Sequence, residues 1–206
     1  MTGWQRHLAA LALLSVAIFA IFWREAADVA GIWWNSSTFT HCLLIVPMIG
    51  WLVSQRVALL RPLTPVYWWP ALIWMAGAGL VWLVGEAAGV GLFRQLGLIL
   101  MLQGAVAATL GEKLVRALLF PLGYALLLVP FGEELVPLLQ TLTAHISMIL
   151  LHLSGIRAEM EGVFITTPAG FFEVAEACSG VNFLIAMLAY AVFAAHLCFR
   201  SWTRRI

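Results

Sequence analysis

Glu176-Ala-Cys-Ser-Gly-Val-Asn-Phe-Leu-Ile-Ala-Met-Leu-Ala-Tyr-Ala-Val-Phe-Ala-Ala-His-Leu-Cys-Phe199 is the stretch whose reading decides the fold. From Val181 to Phe199 no side chain carries a formal charge, and Arg200, Arg204 and Arg205 follow at once. About 20 apolar residues in a helix cross the hydrocarbon layer, and a basic cluster after such a run marks its cytoplasmic end. The rest of the chain has the same character. Of 206 residues, 63% are hydrophobic and 10% are charged, against about 25% charged in a soluble domain. The expectation is an all-α, polytopic helical membrane protein. It has about six spans, one amphipathic or re-entrant helix and a small external β-hairpin, in a single domain over 1–206.

Composition also excludes. A net charge of +1 gives no basis for a nucleic-acid partner. Cys42, Cys178 and Cys198 form no C-x-x-C pair, so neither a disulfide framework nor a zinc site is expected, and no cofactor or metal is implied. Ten tryptophans, many at the ends of apolar runs, suit an interfacial aromatic belt.

Working outward, Leu8–Trp23 follows Arg6 and His7 and reads as a retained first span, because no small-residue cleavage site comes after it. Thr38–Val53 is short and is expected to borrow the turn Phe39-Thr40-His41. Tyr67–Val84, Leu96–Leu110 and Leu114–Pro130 are the next apolar runs. In 137–154, Thr141, His145, Met148 and His152 share one stripe, which predicts an amphipathic helix. Met160–Thr166 and Phe171–Val174 flank Thr167-Pro168-Ala169-Gly170 and predict the hairpin.

Arg6, Arg56 with Arg61, Lys113 with Arg116, and the Arg200 cluster are all expected on the cytoplasmic side. The first five runs then alternate. For the last helix to end inside it must begin outside, so 137–154 should lie in the interface or re-enter. This places Cys178, His41, the hairpin and Glu133-Glu134 on the external face.

Cys178 is the candidate nucleophile. It stands at the predicted start of a helix, where unpaired N–H groups and a partial positive charge favour a thiolate. The bland reading of a free cysteine is a small buried hydrophobe. A thiol enzyme also needs a proton carrier and an oxyanion donor. His41, His145 or His152 could approach, together with Glu173, Glu176, Glu133, Glu134, Glu86, Arg94 and Arg157. His196 cannot, since it lies roughly 27 Å further along the helix. Each has an ordinary alternative: Glu176 as a first-turn acid, Glu133-Glu134 as a solvated loop, the histidines as headgroup-facing polar residues.

Glu176-Ala-Cys178-Ser179-Gly180-Val-Asn182-Phe-Leu-Ile-Ala-Met187 resembles the nucleophile motif of the exosortase/archaeosortase family, closest to the exosortase A type. Three further blocks occur in family order: Thr38-Phe-Thr-His41-Cys-Leu-Leu-Ile-Val-Pro47, Pro130-Phe-Gly-Glu133-Glu134-Leu-Val-Pro137, and Gly162-Val-Phe-Ile-Thr-Thr-Pro168. The resemblance implies a multi-pass bacterial inner-membrane cysteine peptidase or transpeptidase. Its substrates would be membrane-anchored proteins with a C-terminal sorting signal: a Pro-Glu-Pro motif, a span and a basic tail. Cleavage would occur on the external face through a thioester on Cys178, with Glu176, Ser179, Gly180, Asn182, His41, Glu133 and Glu134 nearby. The resemblance also implies an active-site Arg and a His in a later span. The sequence stops at Ile206 before either, and Asn182 stands where a basic residue is expected, as in a truncated or inactive member.

Two other classes remain open from the residues. A non-enzymatic transporter subunit or scaffold would show buried charges or broken spans in repeated halves, and no internal repeat is visible. A redox protein using Cys42 and Cys178 would need their Cα atoms within about 7 Å.

Overall fold

In the computed structural model, which describes residues 3–199, the chain forms two compact units that divide after Pro130. The Arg200–Arg205 cluster lies outside the described residues.

The first unit contains α1 (Gly3–Ile21), α2 (Trp23–Asn35), α3 (Cys42–Leu60), α4 (Pro70–Ala88), α5 (Gly91–Leu110), α6 (Glu112–Ala117) and α7 (Leu119–Tyr124), with a final 3₁₀ turn Ala125–Leu128. α1 packs antiparallel to α5. The His7 ring nitrogen near the start of α1 lies 2.6 Å from the Thr109 carbonyl near the end of α5. Ile18 at the other end of α1 packs with Leu98 and Met101. The core is small-residue packing of α4 on α5. A Cβ on Gly97 would come within 2.7 Å of Trp82 Cβ and 2.9 Å of its backbone nitrogen, so glycine here permits backbone-to-backbone approach.

α3 corrects the expected second run. The turn Phe39-Thr40-His41 leads into it as expected, its carbonyls accepting from the N–H groups of Cys42, Leu43 and Leu44, but the helix continues past Arg56 to Leu60. The predicted fifth run, Leu114–Pro130, is not one helix. Gly111 has φ +89, and a Cβ there would lie 2.5 Å from the Val66 carbonyl oxygen, so the chain must turn on glycine before α6. Pro121 then has no N–H to give to Ala117, four residues back, and its ring crowds that carbonyl. The helix breaks at Leu118, and Arg56 donates to the freed Ala117 oxygen at 2.9 Å. Replacing Arg56 with Met should cost about 1–3 kcal/mol, the penalty for orphaning a partly buried carbonyl. A thermal melt in detergent reads this; an unchanged midpoint would mean that lipid or water satisfies the carbonyl equally well.

The second unit is α8 (Val136–Leu153) after a 3₁₀ turn Glu133–Leu135, a three-stranded antiparallel sheet, a 3₁₀ turn Glu176–Ser179, and α9 (Val181–Cys198). The strands are β1 (Glu159–Glu161), β2 (Phe164–Thr167) and β3 (Gly170–Glu173), in the order β1-β2-β3. β2 and β3 form the predicted hairpin, with Ile165 opposite Phe172 and Thr167 opposite Gly170. The expected single arm Met160–Thr166 is instead two strands: a turn at Gly162-Val163, with Gly162 at φ +62, folds β1 back onto β2, pairing Glu161 with Phe164. Ala144, Ile165, Val181, Ile185 and Ala189 are the buried apolar residues of this unit.

Among the described residues, six helices are long and apolar enough to cross a membrane: α1, α3, α4, α5, Glu133–Leu153 and α9. The number matches the expectation but the membership does not. The 133–153 helix qualifies, whereas the broken 112–128 segment contributes only a short apolar helix, Leu119–Leu128. α8 exposes Leu138, Leu142, Ile146, Ile149, Leu150 and Leu153, and α9 exposes Phe183, Leu184, Met187 and Leu188. Surfaces this apolar on single helices belong in hydrocarbon.

Candidate functional site

Cys178 is exposed and sits in the 3₁₀ turn Glu176–Ser179. This corrects its predicted place in a helical first turn. α9 begins only at Val181, and Cys178 precedes the Gly180 cap by two residues, so α9's end charge, which falls off within one turn, is not what distinguishes it. The interruption is Gly180, which has φ +70 in the left-handed region. That conformation reverses the chain between the 3₁₀ turn and α9, and it suits glycine because no Cβ opposes it. The first α9 bond runs from Leu184 N–H to the Gly180 oxygen at 3.0 Å, while the Gly180 N–H itself has no acceptor among the described residues. Ser179 Oγ accepts from Val181 N–H at 3.4 Å, which gives one of the unpaired N–H groups at the start of α9 a partner.

Two side chains of α8 hold this segment. Gln140 Nε2 donates to the Val174 carbonyl at 2.6 Å, and the single hydroxyl hydrogen of Thr143 is shared between the Cys178 carbonyl at 3.2 Å and the acceptor in its own helix. That second acceptor is Leu139 O, 2.9 Å away. The sequence reading missed both residues. It followed the stripe Thr141, His145 and His152, and all three are exposed on the other side of α8. The inward face carries Gln140, Thr143 and Ser147 around Ala144, which is fully buried. Their three-to-four spacing was visible, and weaker only because Thr and Ser are less conspicuous than His.

Between that face of α8 and the sheet runs a groove of about 610 Å³ that ends at Cys178. Its walls are mainly apolar, with Leu150, Leu151, Ile165, Phe172 and Val174. Its polar groups are the hydroxyls of Thr143, Ser147, Ser154 and Thr167, and the Glu173 carboxyl. No imidazole or guanidinium lines it. His152 and Arg157 line an adjoining cavity of about 600 Å³ that shares Ile156 and Thr167 with the groove. Among the described residues no His, Cys, Asp or Glu cluster could hold a metal ion.

Glu133 and Glu134 are exposed in their 3₁₀ turn, and Glu134 accepts from Gly132 N–H at 3.3 Å. Gly132, at φ +101, lies so close to α9 that a Cβ would come within 2.8 Å of Ile185 Cδ1. The structure thus brings the 131–134 block against the first turns of the helix that follows Cys178. Glu176 is exposed, and Asn182 is half-buried in the first turn of α9.

His41 belongs to the first unit. Its Nδ1 is 3.0 Å from Thr38 O, and its Nε2 is 3.8 Å from Cys42 Sγ. Burial pushes the His41 pKa below its usual value, partly opposed by the Thr38 carbonyl. Cys42 is fully buried, with Sγ 3.6 Å from Leu127 O, as a packed hydrophobe would be. Arg94 and Glu86 pair with each other at 3.1 Å.

Comparison with curated proteins and with solved structures returned no match. A family model described as transmembrane exosortase matches residues 33–206, which takes in every block quoted above. The chain belongs to the transmembrane exosortase family.

Proposed function

We propose that the protein is a membrane-embedded cysteine peptidase or transpeptidase in which Cys178 cleaves membrane-anchored protein substrates. The observation that carries this is the exposed thiol at the end of a 610 Å³ groove, on a turn fastened by Gln140 and Thr143. The Cys178 sulfur attacks the scissile carbonyl; a C–S bond forms, the C–N bond breaks, and the amine leaves with a proton. Glu173 is the ionisable neighbour in the groove lining that can carry it. The Gly180 N–H, without an acceptor, is the donor for the developing oxyanion. Water or an acceptor nucleophile then resolves the thioester. By the family resemblance, the substrate carries a Pro-Glu-Pro motif, a span and a basic tail, and the bilayer holds that span.

The external placement of Cys178 requires that one of the 112–128 segment and the 133–153 helix, and not both, crosses the membrane. Whether that segment or the 133–153 helix makes the fifth crossing, Cys178 follows five crossings from a cytoplasmic N-terminus. Glu133 does depend on it: it faces outside in the first case and inside in the second. Membrane-impermeant maleimide added to right-side-out vesicles should label Cys178. Protection of Cys178 there, with labelling only after lysis, would contradict the external site.

Thr143→Val keeps shape and removes the hydroxyl, so Cys178 loses one of its tethers. Cleavage of a tethered reporter carrying that signal should fall about 3- to 10-fold, the kinetic equivalent of one net hydrogen bond. Thr143→Ser should restore it. A purely structural role would instead lower the melting point without separating the two variants in rate.

A further inference from the structure

The first unit holds a shallow, open polar depression at the ends of its spans. It has a volume of about 590 Å³ and is lined by Asp28, Gly31, Asn35, Ser36, Arg94 and Gln95, with Ala27 and Ile32. α2 supplies Asp28, Gly31, Ile32 and Asn35 from one face, and the first turns of α5 supply Arg94 and Gln95. Its level along the spans follows from the packing of α1 on α5. The end of α1 lies beside the start of α5, where spans meet headgroups. Trp23 and Trp34, at the two ends of α2, are 61% and 77% exposed, as at a membrane interface.

The polar groups here are incompletely satisfied. Gln95 is only 8% exposed, yet its amide makes no hydrogen bond within the described residues, and it faces this depression. Arg94 gives one terminal nitrogen to Glu86 at 3.1 Å; its other terminal nitrogen and its buried Nε–H have no acceptor among the described residues. Asn35 spends one N–H on Gly31 O at 2.9 Å and keeps its oxygen free. Asp28 is exposed and forms no ion pair among the described residues. A buried N–H without a partner, as the Arg94 Nε–H is, is rare unless a ligand or water completes it.

The lining thus offers one carboxylate, one guanidinium short of acceptors, two amides and the Ser36 hydroxyl. An anion alone would leave Asp28 facing it; a cation alone would leave Arg94 unused. A ligand carrying both an ammonium and a phosphate uses each group once. We propose that this depression binds the ammonium–phosphate zwitterion of a phosphatidylethanolamine-type headgroup, with the phosphate on Arg94 and Gln95 and the ammonium on Asp28 and the Asn35 oxygen. Its acyl chains would run along the exposed apolar surface of the spans. A trimethylammonium head has no N–H to donate and fits less well, and a glycerol head lacks the charge.

The test is native mass spectrometry of the full chain in detergent, delipidated and titrated with short-chain phosphatidylethanolamine, phosphatidylglycerol and phosphatidylcholine. Phosphatidylethanolamine should be retained at least 10-fold better than the other two. Gly31→Trp should abolish that preference by filling the depression. A Cβ at Gly31 meets nothing within 4 Å, so the variant should fold, with circular dichroism and gel filtration as the check. Asp28→Asn, an exposed change, should cut phosphatidylethanolamine retention by at least 10-fold even if Gly31→Trp proves unstable. Equal retention of the three lipids, or unchanged preference in Asp28→Asn, overturns the proposal. Competition by soluble phosphoethanolamine without retention of any lipid would assign the site to a free zwitterion and overturn the lipid assignment.

Discussion

Cys178→Ser should abolish reporter cleavage and leave membrane insertion and thermal stability unchanged. The expected loss is at least about 10³-fold, the scale on which removing a nucleophile acts. The thiol is exposed and is not part of any buried packing, so removing its sulfur opens no cavity. Its backbone is held from elsewhere: Cys178 N–H donates to Ala175 O at 2.9 Å, and its carbonyl accepts from Thr143. Serine keeps both bonds. A hydroxyl is a much weaker nucleophile than a thiolate unless a base takes its proton, and no imidazole lines the groove to do so. Activity should therefore fall without any compensating loss of fold. Cys198→Ser, at the far end of α9, is the control and should cleave at the normal rate.

Gly97→Val should lose the fold of the first unit rather than trim its stability. Gly97 is buried on α5 where α4 crosses it, and a Cβ would stand 2.7 Å from Trp82 Cβ, 2.9 Å from Trp82 N and 3.0 Å from Ala78 O. Two of these neighbours are backbone atoms, which cannot rotate away. Relief requires the two helices to move apart, undoing contacts along Ala78, Leu98, Met101 and Ala105. Overpacking commonly costs 1–3 kcal/mol where side chains can yield, and about the upper end or more is expected here. Gly79→Val on α4 has open space around its Cβ and should be tolerated. Comparable melting curves for the two variants would show that α4 and α5 do not need this close approach.

The apolar runs were legible because a span must be long and uncharged whatever surrounds it. Boundaries were less so. Arg56 looked like the end of a span, but α3 runs on to Leu60 and the long Arg56 side chain reaches the carbonyl that Pro121 releases. The break at Leu118 needed Gly111 and Pro121 to outweigh a continuous apolar run, and hydropathy alone gives them no weight. α8 misled for a related reason. In water the polar stripe of a helix faces out, so His145 and His152 looked diagnostic. With a lipid-facing apolar side, the polar groups that organise structure turn inward, and Gln140 and Thr143 bind backbone carbonyls. Cys178 itself stood out by its small and acidic neighbours. That Gly180 would separate it from α9 was written in the Ser-Gly pair, and only the positive φ made the consequence plain.

The most direct measurement is to trap the acyl-enzyme. Wild-type protein incubated with a tethered substrate carrying the sorting signal, quenched in acid and digested, should yield the peptide containing Cys178 with the substrate's acyl fragment attached. The linkage should be cleaved by neutral hydroxylamine, as a thioester is. An acyl group on any other residue, or cleavage that proceeds at the normal rate in Cys178→Ser with no such adduct, would contradict the assignment of Cys178 as the nucleophile.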